Sequence, residues 1–151
     1  MIEVKTDILI NASAEKVYAV LTDFADYPNW NPFIKSVEGK PAVGERLTAT
    51  MHMEGGKPFY VKPKVLVANS GTEFRWLGHL YFKDLFDGEH YFILESLETN
   101  KTRLTHGEQF NGILSGPIMK NIKAGTEKAF QDMNRALKKR IQELESKTAE
   151  E

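Results

Sequence analysis

The C-terminal third of the chain carries a single long apolar stripe. Ile118, Ile122, Phe130, Met133, Leu137, Ile141 and Leu144 recur at close to 3.6 residues, which predicts one amphipathic helix over 118–147 with Pro117 in its first turn. At about 1.5 Å per residue it runs roughly 45 Å. A helix of that reach with one greasy face needs an equally long surface to lie on.

The preceding residues supply that surface as strands. "IEVKTDILI" alternates Ile2, Val4, Thr6, Ile8 and Ile10 against Glu3, Lys5 and Asp7, the pattern of a half-buried strand. "IKSVE" is a weaker strand, and "RLTATMHME" sets Leu47, Ala49, Met51 and Met53 against Arg46, Thr48, Thr50 and His52. "FYVKPKVLVA" puts Phe59, Val61, Val65 and Val67 on one face, with Pro63 marking an edge or a bulge. "EFRWLGHLYF", "HYFILESL" and "TRLTHGEQF" complete the series, joined by turns at "EGGKP", "NSG", "LFDGE" and "ETNK". The total is about seven strands, and turns this short make them antiparallel. Between the first two strands, Ser13 caps a short helix carrying Val17, Val20, Leu21 and Phe24. Asp26 before Tyr27 and Pro28 caps a second, very short one, which Pro32 ends. The fold class is therefore α+β.

Bulk properties narrow the function. The 151 residues suit one domain, 1–151, with 146–151, the last six residues of "ESKTAEE", as a frayed tail. A net charge of -1 gives no electrostatic reason to expect nucleic acid or an anionic membrane as partner. Zero cysteines removes disulfides, thiol catalysis and cysteine metal sites. The N-terminus mixes charges into its apolar residues, unlike a signal peptide, and no run is long enough to span a membrane. The expected location is the cytoplasm.

The long helix thins at its middle. "KAGTEKA" places Gly125, Thr126 and Ala129 where the stripe needs most bulk. Two readings stand side by side: a cavity between helix and sheet, or close packing of helix on sheet. The last strand favours a cavity. Leu104 and Phe110 mark its buried face, and period two puts His106 and Glu108 there too. Buried charges need a partner or solvent. His90 opens the preceding strand and shares a face with Phe92 and Leu94. If it points inward, imidazole and carboxylate meet in an apolar space. The segment "DFADYPNWNPF" adds Phe24, Tyr27, Trp30 and Phe33 at a rim, either as a fixed plug or as a lid that a ligand passes.

The stretches "VYAVLTDFADYPNWNPFI", "LFDGEHYFILE", "TRLTHGEQFNG" and "AFQDMNRALKKR" resemble, in order, the START-like superfamily, also called SRPBCC, of polyketide cyclase/dehydrase-type and lipid-transport proteins. The resemblance implies a helix-grip fold. In it, a seven-stranded antiparallel sheet wraps a long C-terminal helix, two short helices close one side, and a deep hydrophobic cavity lies between. That grip serves carriers, receptors and enzymes alike, so activity has to be argued from the site.

The expected function is binding or carriage of a small hydrophobic or aromatic molecule, whether lipid, isoprenoid or polyketide-like. Trp76, Phe92, Phe130 and Met133 would form the apolar wall, His90, His106, Glu108 and Thr126 would orient the ligand, and Trp30 and Phe33 would flank the entrance. The alternative is a cyclase or dehydratase in which His106 and Glu108 act as base and orienting partner, with His90 as a second acid–base group. His90, His106 and Glu108 also have the composition of a two-histidine, one-carboxylate set, yet nothing in the spacing fixes the third ligand; no metal or other cofactor is assigned. There is no G-x-S-x-G and no phosphate loop. His52 and His79 are expected on the outer face. Leu66, Leu77, Tyr91 and Ile93 would then form an outward apolar patch suited to a homodimer.

Overall fold

The computed structural model describes residues 1–79 and 85–150. In chain order these form β1 (Ile2–Ile10), α1 (Ala14–Thr22), a 3-10 segment (Phe24–Asn29), β2 (Ile34–Glu38), β3 (Thr48–Met51), β4 (Phe59–Val61), β5 (Lys64–Asn69), β6 (Glu73–His79), β7 (Asp87–Glu98), β8 (Lys101–Asn111) and α2 (Ser115–Glu150). The last three residues of "EFRWLGHLYF", 80–82, lie outside the described residues.

All strand pairs are antiparallel, and the long C-terminal helix lies in the grip of the sheet. The count differs from the expected seven strands in one sheet. Among the described residues there are eight, in a five-stranded sheet ordered β1-β8-β7-β6-β5 and a three-stranded sheet ordered β2-β3-β4. Pro63 is the reason. It has no N–H to give a ladder, so "FYVKPKVLVA" breaks there into β4 and β5, each an edge of a different sheet. The break stays bonded: Leu47 N donates to the Pro63 carbonyl at 2.8 Å, Val65 N to Glu45 O at 2.9 Å, and Arg46 bridges to Lys64.

Ser13 caps α1 by accepting from Lys16 N at 3.3 Å. The second short helix is capped differently from expectation. Its N-cap is Asp23, with no side-chain bond. Asp26 sits in the first turn and accepts two bonds of 3.0 Å from the Arg140 guanidinium of α2. Asn31 closes the segment, its side-chain oxygen accepting from Phe33 N at 3.0 Å and Ile34 N at 2.8 Å.

The buried face of α2 runs through Met119, Thr126, Ala129, Phe130, Met133, Asn134, Leu137 and Ile141. Ile122 departs from the expected stripe and stands at the rim, half exposed. The helix continues through Glu150. On the outer face of the larger sheet, Leu66, Leu77 and Ile93 are half-buried. Tyr91 there is not a bare apolar surface. Arg75 stacks 4.7 Å above its ring while bonding Glu73 and Glu89, and its hydroxyl donates to Glu3 at 2.9 Å. No helix among the described residues is long and apolar enough to cross a membrane.

Candidate functional site

β7 and β8 are neighbours, and their register sets His90 opposite Glu108 and Phe92 opposite His106. All four side chains face α2 because period two keeps alternate residues on one face. His106 is fully buried and His90 is 1% exposed. The imidazoles meet edge on, Nε2 to Nε2, at 2.8 Å. The second nitrogen of His106 is held by Asn134 Oδ1 of α2 at 2.8 Å, and Asn134 Nδ2 donates to Thr6 Oγ1 of β1 at 2.8 Å. At the other end, His90 Nδ1 stands 3.4 Å from Glu108 Oε1 and makes no hydrogen bond. A buried polar chain thus runs from Thr6 through Asn134, His106 and His90 to Glu108.

Aromatic rings sheathe this chain. Phe130 stacks on His106 with centroids 4.2 Å apart and lies 5.0 Å from His90. Phe92 sits 4.5 Å from His106, Trp76 5.3 Å from His90, and Phe33 stacks on His90 at 6.4 Å. Burial pushes the His106 pKa well below its ordinary value, repulsion from His90 adds to this, and the bonds to Asn134 and the Phe130 main chain oppose it without prevailing.

Glu108 is the one member of the chain with partial access to solvent. Its carboxylate lies over Gly88, where a Cβ would collide with it. Beside it is an inner cavity of about 60 Å³. Phe33, Trp76, Phe86 and Phe110 wall it together with Met51 and Met53, and Thr126 adds a hydroxyl to the lining. A wider cleft of about 640 Å³ opens on the far side of Phe33, between Pro32, the β3–β4 turn (His52, Glu54) and α2 (Gly125, Lys128, Asp132). Lys128 bridges Glu54 across it at 2.8 Å. Phe33 lines both spaces.

The deep cavity expected from the thin middle of α2 is therefore reduced. Gly125 faces the outer cleft, and the rings of Phe33 and Phe130 fill much of the space opposite the sheet. Of the residues read from sequence, Phe33, Trp76, Glu108 and Thr126 line the inner cavity. His90, His106, Phe92 and Phe130 form the buried layer behind it. Met133 is core. Trp30 lies elsewhere, stacked edge on against Tyr27 and lining a groove with Lys139, Arg140 and Glu143. Glu108 sits against His90, and the side chain bonded to His106 Nδ1 is that of Asn134. Among the described residues no cluster of histidines and acids is arranged to hold a metal ion. His52, expected outside, lines the cleft and bonds Gly56 O at 3.0 Å. His79 is exposed and bonds Asp87 at 2.6 Å.

Sequence reasoning missed Asn134 and the methionines of the cavity. Asn134 follows Phe130 by four residues on the apolar stripe, and a polar residue there is the signal that marks it. Met51 and Met53 lie on the inward face that the alternation of "RLTATMHME" predicts.

Solved structures share this architecture. A START superfamily protein from Mycobacterium smegmatis is 22% identical, with a TM-score of 0.71 over 94% of this chain and 98% of that one. The Zhui aromatase/cyclase from Streptomyces is 14% identical, with a TM-score of 0.75 over 93% of each chain. Norcoclaurine synthase from Thalictrum flavum, solved with dopamine and hydroxybenzaldehyde, is 14% identical, with a TM-score of 0.71 over 94% of this chain and 87% of that one. By sequence, no curated protein matches the chain. The model of one family does match it, across residues 1–142. With its helix-grip architecture and that nearly full-length match, the chain belongs to the polyketide cyclase/dehydrase and lipid transport family.

Proposed function

We propose that the protein binds a small hydrophobic or aromatic molecule, lipid, isoprenoid or polyketide-like, in the space on the two sides of Phe33. The observation that carries the reading is the position of that ring. By itself the inner cavity, about 60 Å³, is below the roughly 300 Å³ at which small-molecule sites begin. Turning Phe33 aside joins it to the 640 Å³ cleft. Trp76, Met51 and Met53 then take the apolar body, while Glu108 and Thr126 meet its polar end. Norcoclaurine synthase, which shares this architecture and is solved with dopamine and hydroxybenzaldehyde, supports an aromatic ligand. Native mass spectrometry with solvent extraction of freshly purified protein tests the reading: a co-purifying apolar compound is expected, and its mass is expected to stay on Phe33→Ala protein. Absence of any bound compound, with no uptake of an added apolar fluorophore by either protein, refutes it.

Acid–base turnover of a cyclase or dehydratase kind is the second reading, favoured by the contact of His90 Nδ1 with Glu108 at the cavity wall. In it Glu108 is the catalytic residue and His90 its partner. His106, buried behind them, is a positioning residue. Glu108→Gln separates the readings, because carriage survives the change and conversion of the extracted compound does not.

A further inference from the structure

The hydrogen bonds behind the cavity run in one direction. Thr6 Oγ1 gives its own proton to the main-chain oxygen of His106 at 2.8 Å, so toward Asn134 it offers only lone pairs. Asn134 must turn its amide nitrogen to Thr6 and its oxygen to His106 Nδ1. An oxygen at 2.8 Å requires a hydrogen on that nitrogen. His106 is neutral, since burial strongly disfavours its charged form. Its Nε2 is therefore bare, and His90 Nε2, 2.8 Å away, must supply the hydrogen between them.

This leaves His90 Nδ1 as the end of the line. It is buried, has no hydrogen-bond partner, and faces Glu108 Oε1 at 3.4 Å. A bare imidazole nitrogen and a carboxylate oxygen present lone pairs to each other, an arrangement that costs free energy where, as at His90, the nitrogen is buried. Among the described residues, His106 and Glu108 are the titratable groups against His90. Its other close neighbours are the rings of Phe33, Trp76, Phe92 and Phe130. One proton, on either partner, removes the conflict.

We propose that His90 Nδ1 and Glu108 hold a single exchangeable proton between them, and that this net-neutral pair selects a ligand hydroxyl or enol over a carboxylate or phosphate. Two further features support the selectivity. Thr126 donates its hydroxyl hydrogen to Ile122 O at 2.9 Å, so it too offers only lone pairs to the cavity and accepts from a ligand O–H. Among the described residues lining the inner cavity none is lysine or arginine, so none of these would offer a ligand anion a counter-charge. The selectivity rests on the cavity reading given above; the shared proton does not.

Two measurements test the proposal. Long-range proton–nitrogen correlations of the histidine rings in labelled protein are expected to show His106 protonated at Nδ1 and His90 at Nε2. His90 Nδ1 is expected to shift toward the protonated form in the native protein and to read as a bare acceptor in Glu108→Gln. His106 protonated at Nε2 instead, or His90 Nδ1 unchanged by the substitution, overturns the shared proton. Titration with phenol, toluene and benzoate then reads the selectivity, with phenol expected to bind about tenfold more tightly than either. Benzoate equal to or tighter than phenol overturns it. Failure of all three compounds to bind, to native and Phe33→Ala protein alike, removes the cavity reading and the selectivity together, while the ring nitrogens still decide the proton.

Discussion

Two glycines on adjacent strands show how single atoms shape the two faces of the larger sheet. Gly88 leaves room for the Glu108 carboxylate on the cavity side, and Gly107 leaves room for the Tyr91 ring on the outer side. The neighbours differ in what they can yield. A Cβ at Gly88 meets the far end of a flexible side chain, which rotates away. A Cβ at Gly107 meets an aromatic ring and, at 2.7 Å, the main-chain oxygen of Val4 in β1. Gly88→Ala is therefore expected to shift the melting temperature by only a few degrees while weakening phenol binding about tenfold, because it displaces Glu108. Gly107→Ala is expected to cost about 1–3 kcal/mol in urea unfolding, as overpacking does where the backbone itself must move. Equal destabilisation by the two would mean that Glu108 is held as rigidly as a strand.

Among elements, the aromatic 3-10 segment divides into a fixed part and a movable one. Tyr27 is buried, donates its hydroxyl to Leu21 O, and has its ionisation pushed far up by burial. Arg140 pins the segment from α2 through its two-pronged bond to Asp26. Phe33 follows the segment, just past the Asn31 turn, and stands between cavity and cleft. Tyr27→Ala is expected to cost about 3–5 kcal/mol with uptake of an apolar fluorophore unchanged per folded molecule, whereas Phe33→Ala is expected to speed that uptake severalfold. Arg140→Ala should cost about 1 kcal/mol, and lysine should not restore it, since a single ammonium cannot make the paired contact. The aromatic content of "DFADYPNWNPF" was legible in the sequence, because ring residues at that density need burial. Which ring guards the cavity was not, because Arg140 and the cleft residues of α2 lie about a hundred positions away in the chain.

Across the whole molecule, the first and last strands pair, Ile2 opposite Phe110 through Ile10 opposite Thr102, and this brings Thr6 alongside His106. Period two in β8 was enough to read His106 and Glu108 as inward. It does not say which of them His90 meets, since that depends on the β7–β8 register, nor that α2 delivers Asn134 between β1 and β8, since that depends on the helix's rotation. The chain these contacts build has a consequence for global stability. His106 is buried neutral, with its folded pKa well below the ordinary 6.5 that an unfolded chain restores. Below that ordinary value the unfolded state binds a proton that the folded state refuses, so folding loses free energy as the pH falls. The contribution is complete above about pH 6.5 and declines below it, by at most about 1.4 kcal/mol per pH unit, until the depressed folded pKa is reached. Carboxylates held low by their partners, Glu3 and Asp132, act only nearer their own ordinary values of 4.5 and 3.8. Urea unfolding between about pH 7.5 and 5 is expected to show this slope in the native protein and a flatter curve in His106→Gln. Parallel curves for the two would mean that His106 takes up its proton inside the folded molecule, and the one-way chain from Thr6 to Glu108 would lose the neutral imidazole on which its direction depends.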